Sequence, residues 1–166
     1  WTQVRLYTGP DTLRSAGEAE VLVIDTESRH LPPQQAAEIV SALVEEAAAL
    51  GTEYIYKKTD SVLRGNIGAE LMAAAKAARG RPLPFVPAWP ENGRTTREGI
   101  HYVGGVPAAQ TDFAGDVLNP IRSSAVQEIL QSTAECCGAV IPVGETNWPA
   151  DTDLLIFDAE TGEQVD

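Results

Sequence analysis

The sequence predicts an α/β fold: a three-layer sandwich on a mostly parallel sheet, with one hairpin-containing excursion. Three observations predict it. Short apolar runs alternate with long amphipathic stretches along most of the chain. The runs Val21-Leu22-Val23-Ile24 and Leu154-Leu155-Ile156-Phe157 are continuous rather than alternating, as in strands covered on both faces. One stretch, residues 88–119, is rich in Gly and Pro, lacks a helical period, and so interrupts the alternation.

Taken in order, residues 4–7 (Val-Arg-Leu-Tyr) read as a first strand, followed by a short helix and the strand 21–24. Pro32 and Pro33 open a helix over residues 34–50, since a first turn tolerates proline. Its apolar positions Ala36, Ile39, Val40, Leu43, Val44, Ala47 and Leu50 share one face, and Gly51 stops it. Tyr54-Ile55-Tyr56-Lys57 reads as a strand, and residues 58–65 as a loop. An Ala-rich helix follows from Asn66 to Arg79, with Gly80 as its stop. Residues 83–87 form a further strand, with irregular ends because Pro84 and Pro87 cannot donate to a ladder. Gly104-Gly105 between His101-Tyr102-Val103 and Val106-Pro107 is a hairpin signal. Ser123 or Ser124 starts a helix to about Ala134, and residues 139–143 and 154–157 are the last strands. The tail from Glu160 looks like the approach to another helix.

The chain has 166 residues, which suits one domain. Twelve basic and 24 acidic residues give a net charge of 12 − 24 = −12. That excess disfavours nucleic acid and anionic membrane as partners, because both are gripped by Lys and Arg. No run approaches the ~20 apolar residues that span a bilayer. The two cysteines, Cys136 and Cys137, are adjacent. A disulfide framework and a zinc site are therefore not expected, no metal site is assigned, and a reducing cytoplasm fits. No signal-peptide pattern opens the chain. Both ends run straight into elements, so the expectation is a piece of something longer.

In a parallel sheet, ligands sit beyond the carboxyl ends of the strands. Asp25, Asp60 and Asp158 fall there. Each can accept from substrate hydroxyls, hold Mg²⁺ or act as a base, or simply cap the loop it begins. The densest constellation is Lys57-Lys58-Thr59-Asp60-Ser61-Val62-Leu63-Arg64-Gly65-Asn66-Ile67-Gly68. Gly65 and Gly68 permit close backbone approach, the helix beginning near Asn66 favours an anion, and Arg64 offers a planar fork. The spacing is not that of a P-loop. A solvated, charged turn is the plain alternative. Asn92, Gly93 and Arg94 form a second polar loop on this edge, and Asp25 to Arg29 a third, where Arg29 could equally pair with Glu27 or Asp25. Asn119-Pro120-Ile121-Arg122 brings one more arginine to a helix start. His30 and His101 have no triad-like partners and read as structural or exposed.

Several of these stretches, in order along nearly the whole chain, resemble the N-terminal domain of the four-carbon acid sugar kinase family. They are Asp25-Thr26-Glu27-Ser28-Arg29, the run from Tyr56 to Glu70, Pro87-Ala88-Trp89-Pro90-Glu91-Asn92-Gly93-Arg94-Thr95-Thr96, Val103-Gly104-Gly105-Val106-Pro107, Thr111-Asp112-Phe113-Ala114, and Asn119-Pro120-Ile121-Arg122-Ser123-Ser124. The resemblance implies ATP-dependent phosphorylation of a terminal hydroxyl on threonate, erythronate or 3-oxo-tetronate. The sugar acid would lie on this domain, with ATP and Mg held mainly by the protein's own C-terminal domain. It also implies an opening strand carrying an Asp-Asp-x-Thr-Gly loop ahead of Trp1, which would supply the general base. Carried onto this chain, Arg64 with the Asn66 helix start would take the carboxylate. Asp25, Asp60 and Asn92 would take hydroxyls, and Arg94 or Lys58 would steady phosphate charge. Arg29, Ser61, Gly65 and Gly93 complete the expected substrate-binding set. A homo-oligomer is left open. The alternative function is a non-catalytic small-anion-sensing or protein-interaction domain of the same fold. A dinucleotide-binding reading is weaker, since no G-x-G-x-x-G follows a strand.

Overall fold

The computed structural model describes residues 4–8, 13, 19–78 and 82–165. Strand β1 (Val4–Thr8) pairs in parallel with β2 (Val21–Asp25). The short helix expected between them lies outside the described residues, as do Arg79 and Gly80.

Helix α1 (Pro33–Ala49) starts with proline in its first turn and buries Ala36, Val40, Leu43, Val44 and Ala47 of the expected stripe, while Ile39 is half-buried and Leu50, past the last turn, is exposed. Gly51, at φ +77°, ends it in the left-handed region. Helix α2 (Ile67–Ala77) is covered on all sides, with every residue from Ile67 to Ala75 buried. Val40 and Val44 of α1 pack on Ala73 and Ala74 of α2. Helix α3 (Val126–Gln131) packs on the opposite face of α2. A Cβ on Gly68 would lie 1.9 Å from the Leu130 carbonyl oxygen, so only glycine allows that approach.

The central ladder joins β3 (Leu83–Phe85), β7 (Gly138–Ile141) and β8 (Leu154–Phe157) in the order β3-β8-β7, all parallel. β8 is the middle strand, and Leu154, Leu155 and Ile156 are buried on both faces. Leu154 and Ile156 form the main core with Leu63, Ile67, Leu71, Met72, Phe85, Val126 and Leu130. Each such side chain contributes roughly 1.5–3 kcal/mol by leaving water. The excursion is an antiparallel meander of β4 (Arg94–Arg97), β5 (Ile100–Val103) and β6 (Val106–Pro107). Gly104 and Gly105, at φ +59° and +80°, turn the β5–β6 hairpin. A single-turn helix α4 (Gly162–Val165) follows β8.

The fold is thus mixed α/β, and among the described residues its strands form two parallel ladders and one antiparallel meander. The strand expected over residues 54–57 does not form. That segment carries no regular structure and joins no ladder, and Tyr54 and Tyr56 are 83% and 88% exposed. β-propensity becomes a strand only beside a partner edge, and no described strand flanks this one. The strand expected over 83–87 stops at Phe85, ahead of Pro87.

Candidate functional site

Asp60 joins its own loop to that of Arg29, and Arg64 links both to the loop of Asp116. Its Oδ1 accepts from Arg29 Nη2 at 3.0 Å and Arg64 Nη2 at 3.1 Å. Its Oδ2 accepts from Arg64 Nε at 3.0 Å and from the backbone N–H groups of Val62 and Arg64 at 3.3 and 3.2 Å. Burial alone would raise the Asp60 pKa, but the Arg64 hydrogen bonds and charge, with Arg29 behind them, hold it below the ordinary value. Arg64 also donates from Nη1 to Asp116 Oδ2 at 3.1 Å, and its guanidinium lies 5.1 Å from the Phe113 ring centre. The bond to Asp60 is the main reason its own pKa is raised. Asp116 is held below the ordinary carboxylate value, first by the Asn119 N–H, then by Leu118 N–H and Arg64.

The local backbone explains why these loops converge. Gly65 sits at φ +88°, and a Cβ there would lie 2.9 Å from Arg29 Cγ. Asn66 precedes α2 but makes no side-chain cap. Its Nδ2 instead donates to the carbonyls of Ser28 at 2.9 Å and Leu31 at 2.8 Å, tying the 28–31 turn to the helix start. The third N–H that α2 could offer an anion, that of Ala69, donates to Thr133 Oγ1 at 3.1 Å.

His101 is fully buried, with Nε2 at 3.0 Å from the Ser61 carbonyl and Nδ1 at 3.3 Å from Thr96 Oγ1. Burial pushes its pKa down; the Ser61 contact opposes this and the charge of Arg94 adds to it. His101 therefore braces the 60–64 loop against the meander, the structural role its sequence context suggests. Gly93, at φ +66°, turns the chain so that Arg94 donates to the Asn92 carbonyl. Arg94 Nε is buried without a partner.

The expected residues therefore separate into groups. Arg29, Asp60, Ser61, Arg64, Gly65 and Asn66 come together in one bonded cluster. Asn92, Gly93 and Arg94 approach it through His101. Asp25 and Lys58 are exposed at the margins; Asp25 Oδ1 accepts only the Glu27 N–H among described partners. Asp158 does not face this site: its carboxylate accepts the N–H groups of Glu98 and Gly99 in the β4–β5 turn. The charges of Asp60, Asp116, Arg29 and Arg64 cancel. Lys57 pairs with Glu70 at 2.6 Å. No carboxylate partner is found among the described residues for Lys58 or Arg94. Sequence reasoning missed Asp116, Phe113, Ser28 and Glu70. Ser28, Phe113 and Glu70 lie in the stretches that carry the resemblance, and Glu70 also stands out as a charge inside the apolar stripe of α2; Asp116 left no signal.

No group of three or more His, Cys, Asp or Glu among the described residues is placed to hold a metal ion. No helix among them is long and apolar enough to cross a membrane.

Residues 2–164 match the family described as the sugar-binding N-terminal domain. A D-threonate kinase of Salmonella typhimurium is 45% identical over 128 residues, 76% of this chain and 29% of that protein. A D-erythronate kinase of Heliobacterium modesticaldum is 32% identical over 147 residues, 86% of this chain and 33% of that protein. This chain thus spans about a third of the length of these relatives. A crystal structure from Bordetella bronchiseptica superposes with a TM-score of 0.85 at 31% identity, over 99% of this chain and 44% of that one. It is described as a domain of unknown function with bound citrate, in a domain-swapped dimer. On the match over residues 2–164, the chain belongs to the family of sugar-binding N-terminal domains.

Proposed function

We propose that this chain is the acid-binding lobe of an ATP-dependent kinase that phosphorylates a terminal hydroxyl of a four-carbon sugar acid, with D-threonate the first candidate. The observation that carries the reading is the charge pattern: a neutral, interlocked cluster at Asp60, with Lys58 on its loop and Arg94 at the start of β4, neither of which has a carboxylate partner among the described residues. Fixed loops with unspent positive charge suit a small hydroxylated anion.

All three nitrogens of Arg64 already hold protein carboxylates, so the roles shift from those the resemblance implies. Arg64 and Asp60 serve as the frame. Arg29, 46% exposed and bonded to protein through one nitrogen, takes the carboxylate together with Lys58. Asp25, Ser61 and Asn92 take hydroxyls, and Arg94, set by Gly93, faces the charge that develops at the transferred phosphoryl. Gly65 and Asn66 hold the loops at contact distance. In this reading ATP and Mg are held mainly by the protein's own C-terminal domain, and no step here runs through them. The finer architectural reading, a three-layer sandwich, is proposed with it, as are residence in the cytoplasm, where ATP is kept, and assembly into a homo-oligomer. The citrate-bound relative crystallised as a dimer supports the last and offers a precedent for a hydroxylated carboxylate ligand.

The test is calorimetric titration of the protein with D-threonate and D-erythronate, beside ADP release with ATP present. Lys58→Met is expected to weaken acid binding about tenfold or more, since a hydrogen bond to a charged group is worth roughly 1.5–3 kcal/mol. Unchanged affinity would overturn the assignment of Lys58. Binding without phosphoryl transfer by the full-length protein would move the conclusion to the non-catalytic sensing reading.

A further inference from the structure

We propose that Glu70 is a positioning residue: a buried carboxylate that fixes the spacing of the two loops carrying Arg29 and Lys58. The proposal rests on the acid-binding reading above for its functional consequence, but its structural part stands on its own contacts.

Glu70 lies in the first turn of α2 and is 5% exposed. Both of its oxygens are used, each on a different loop. Oε1 accepts from Ser28 Oγ at 2.6 Å, and Ser28 Oγ is 2.7 Å from Thr26 Oγ1. Oε2 accepts from Lys57 Nζ at 2.6 Å, and the same ammonium donates to the Lys58 carbonyl at 3.0 Å. One carboxylate on a rigid helix therefore reaches the loop ending in Arg29 and the loop beginning at Lys58.

A buried ion pair is a weak source of net stability compared with apolar side chains of the same volume. What it supplies here is direction. Lys57, drawn inward to Glu70, leaves Lys58 pointing outward, where it is exposed. The pair thus selects which of two adjacent lysines faces a ligand.

Glu70→Gln keeps an acceptor for Ser28 and removes the charge that holds Lys57. Lys57→Met/Glu70→Gln removes both charges, so that no buried ion is left unpaired. The expected result for this double variant, in the full-length protein, is a melting temperature close to wild type, an acid KM raised about tenfold, and an unchanged KM for ATP. Return of the acid KM to the wild-type value in the stable double variant would overturn the proposal, because a purely structural pair would be replaced without loss. Hydrogen exchange decides the strap independently of turnover. In Glu70→Gln, amides of residues 25–31 and 57–64 should exchange faster while α2 stays protected; unchanged exchange in both loops also overturns it. Wild-type protein that phosphorylates none of the acids would refute the kinase reading, and with it the functional role of Glu70, while the exchange data would still establish or refute the strap.

Discussion

Replacing Asp60 by Asn removes the charge that joins its loop to that of Arg29 and holds Arg64, while keeping the side chain's shape. In the wild type the carboxylate accepts five hydrogen bonds, three from guanidinium groups and two from backbone N–H groups. Its side chain is 9% exposed, against 23% for Arg64 and 46% for Arg29. The Arg29 arm is open to water and is worth at most about 1 kcal/mol. The Arg64 arm is better shielded, and a hydrogen bond to a charged group contributes roughly 1.5–3 kcal/mol. Asn keeps one acceptor, and Arg64 keeps Asp116, so the full cost of orphaning a buried charge does not arise. The expected loss is about 2–3 kcal/mol, a fall in Tm of roughly 4–12 °C for a chain of this size. The sign with pH follows from linkage. The folded pKa of Asp60 is depressed, so its contribution is complete above the ordinary value of 3.8 and is lost as pH falls through the folded value. Thermal unfolding of both proteins at neutral pH and through successive acid steps measures this. The gap should be widest near neutrality and close in acid. A loss under about 0.5 kcal/mol, or a gap that stays constant with acidification below pH 3.8, would refute the assignment of Asp60 as the charged hub.

Other consequences are as direct. Gly68→Ala should destabilise strongly, by about 2 kcal/mol or more, although alanine favours helix, because its Cβ would meet the Leu130 carbonyl oxygen at 1.9 Å; equilibrium urea unfolding would show it. Gly65→Ala should weaken acid binding more than it lowers stability, since the added Cβ, at φ +88°, displaces the Arg29 side chain; calorimetry beside thermal unfolding separates the two effects. His101 has a depressed folded pKa, so its neutral form contributes stability that is present above 6.5 and declines as pH falls below 6.5, where the unfolded chain takes up the proton. His101→Gln should flatten the stability profile between pH 7 and 5, and an unchanged slope would count against its burial.

The elements that were legible in the sequence are those with local causes. α1 was readable because its apolar spacing, its opening prolines and Gly51 act within the segment itself. The β5–β6 hairpin was readable because Gly104-Gly105 suits the turn by its own φ angles. β8 was readable as a continuous apolar run. Residues 54–57 misled for the complementary reason: Tyr, Ile and Tyr have strand character, but a strand requires an edge beside it, and that is not a property of four residues.

The sequence by itself determined the α/β character of the chain and the gathering of cations over residues 57–64, because periodicity, turn chemistry and charge are written locally. Only the tertiary structure decided which of those charges are free. Asp116 lies 52 residues from Arg64 and Glu70 lies 42 from Ser28, yet each pair shares a hydrogen bond. Charge cancellation depends on distances of about 3 Å that chain folding alone creates. It turned Arg64 from an open fork into a frame, while Lys58 and Arg94 have no carboxylate partner among the described residues.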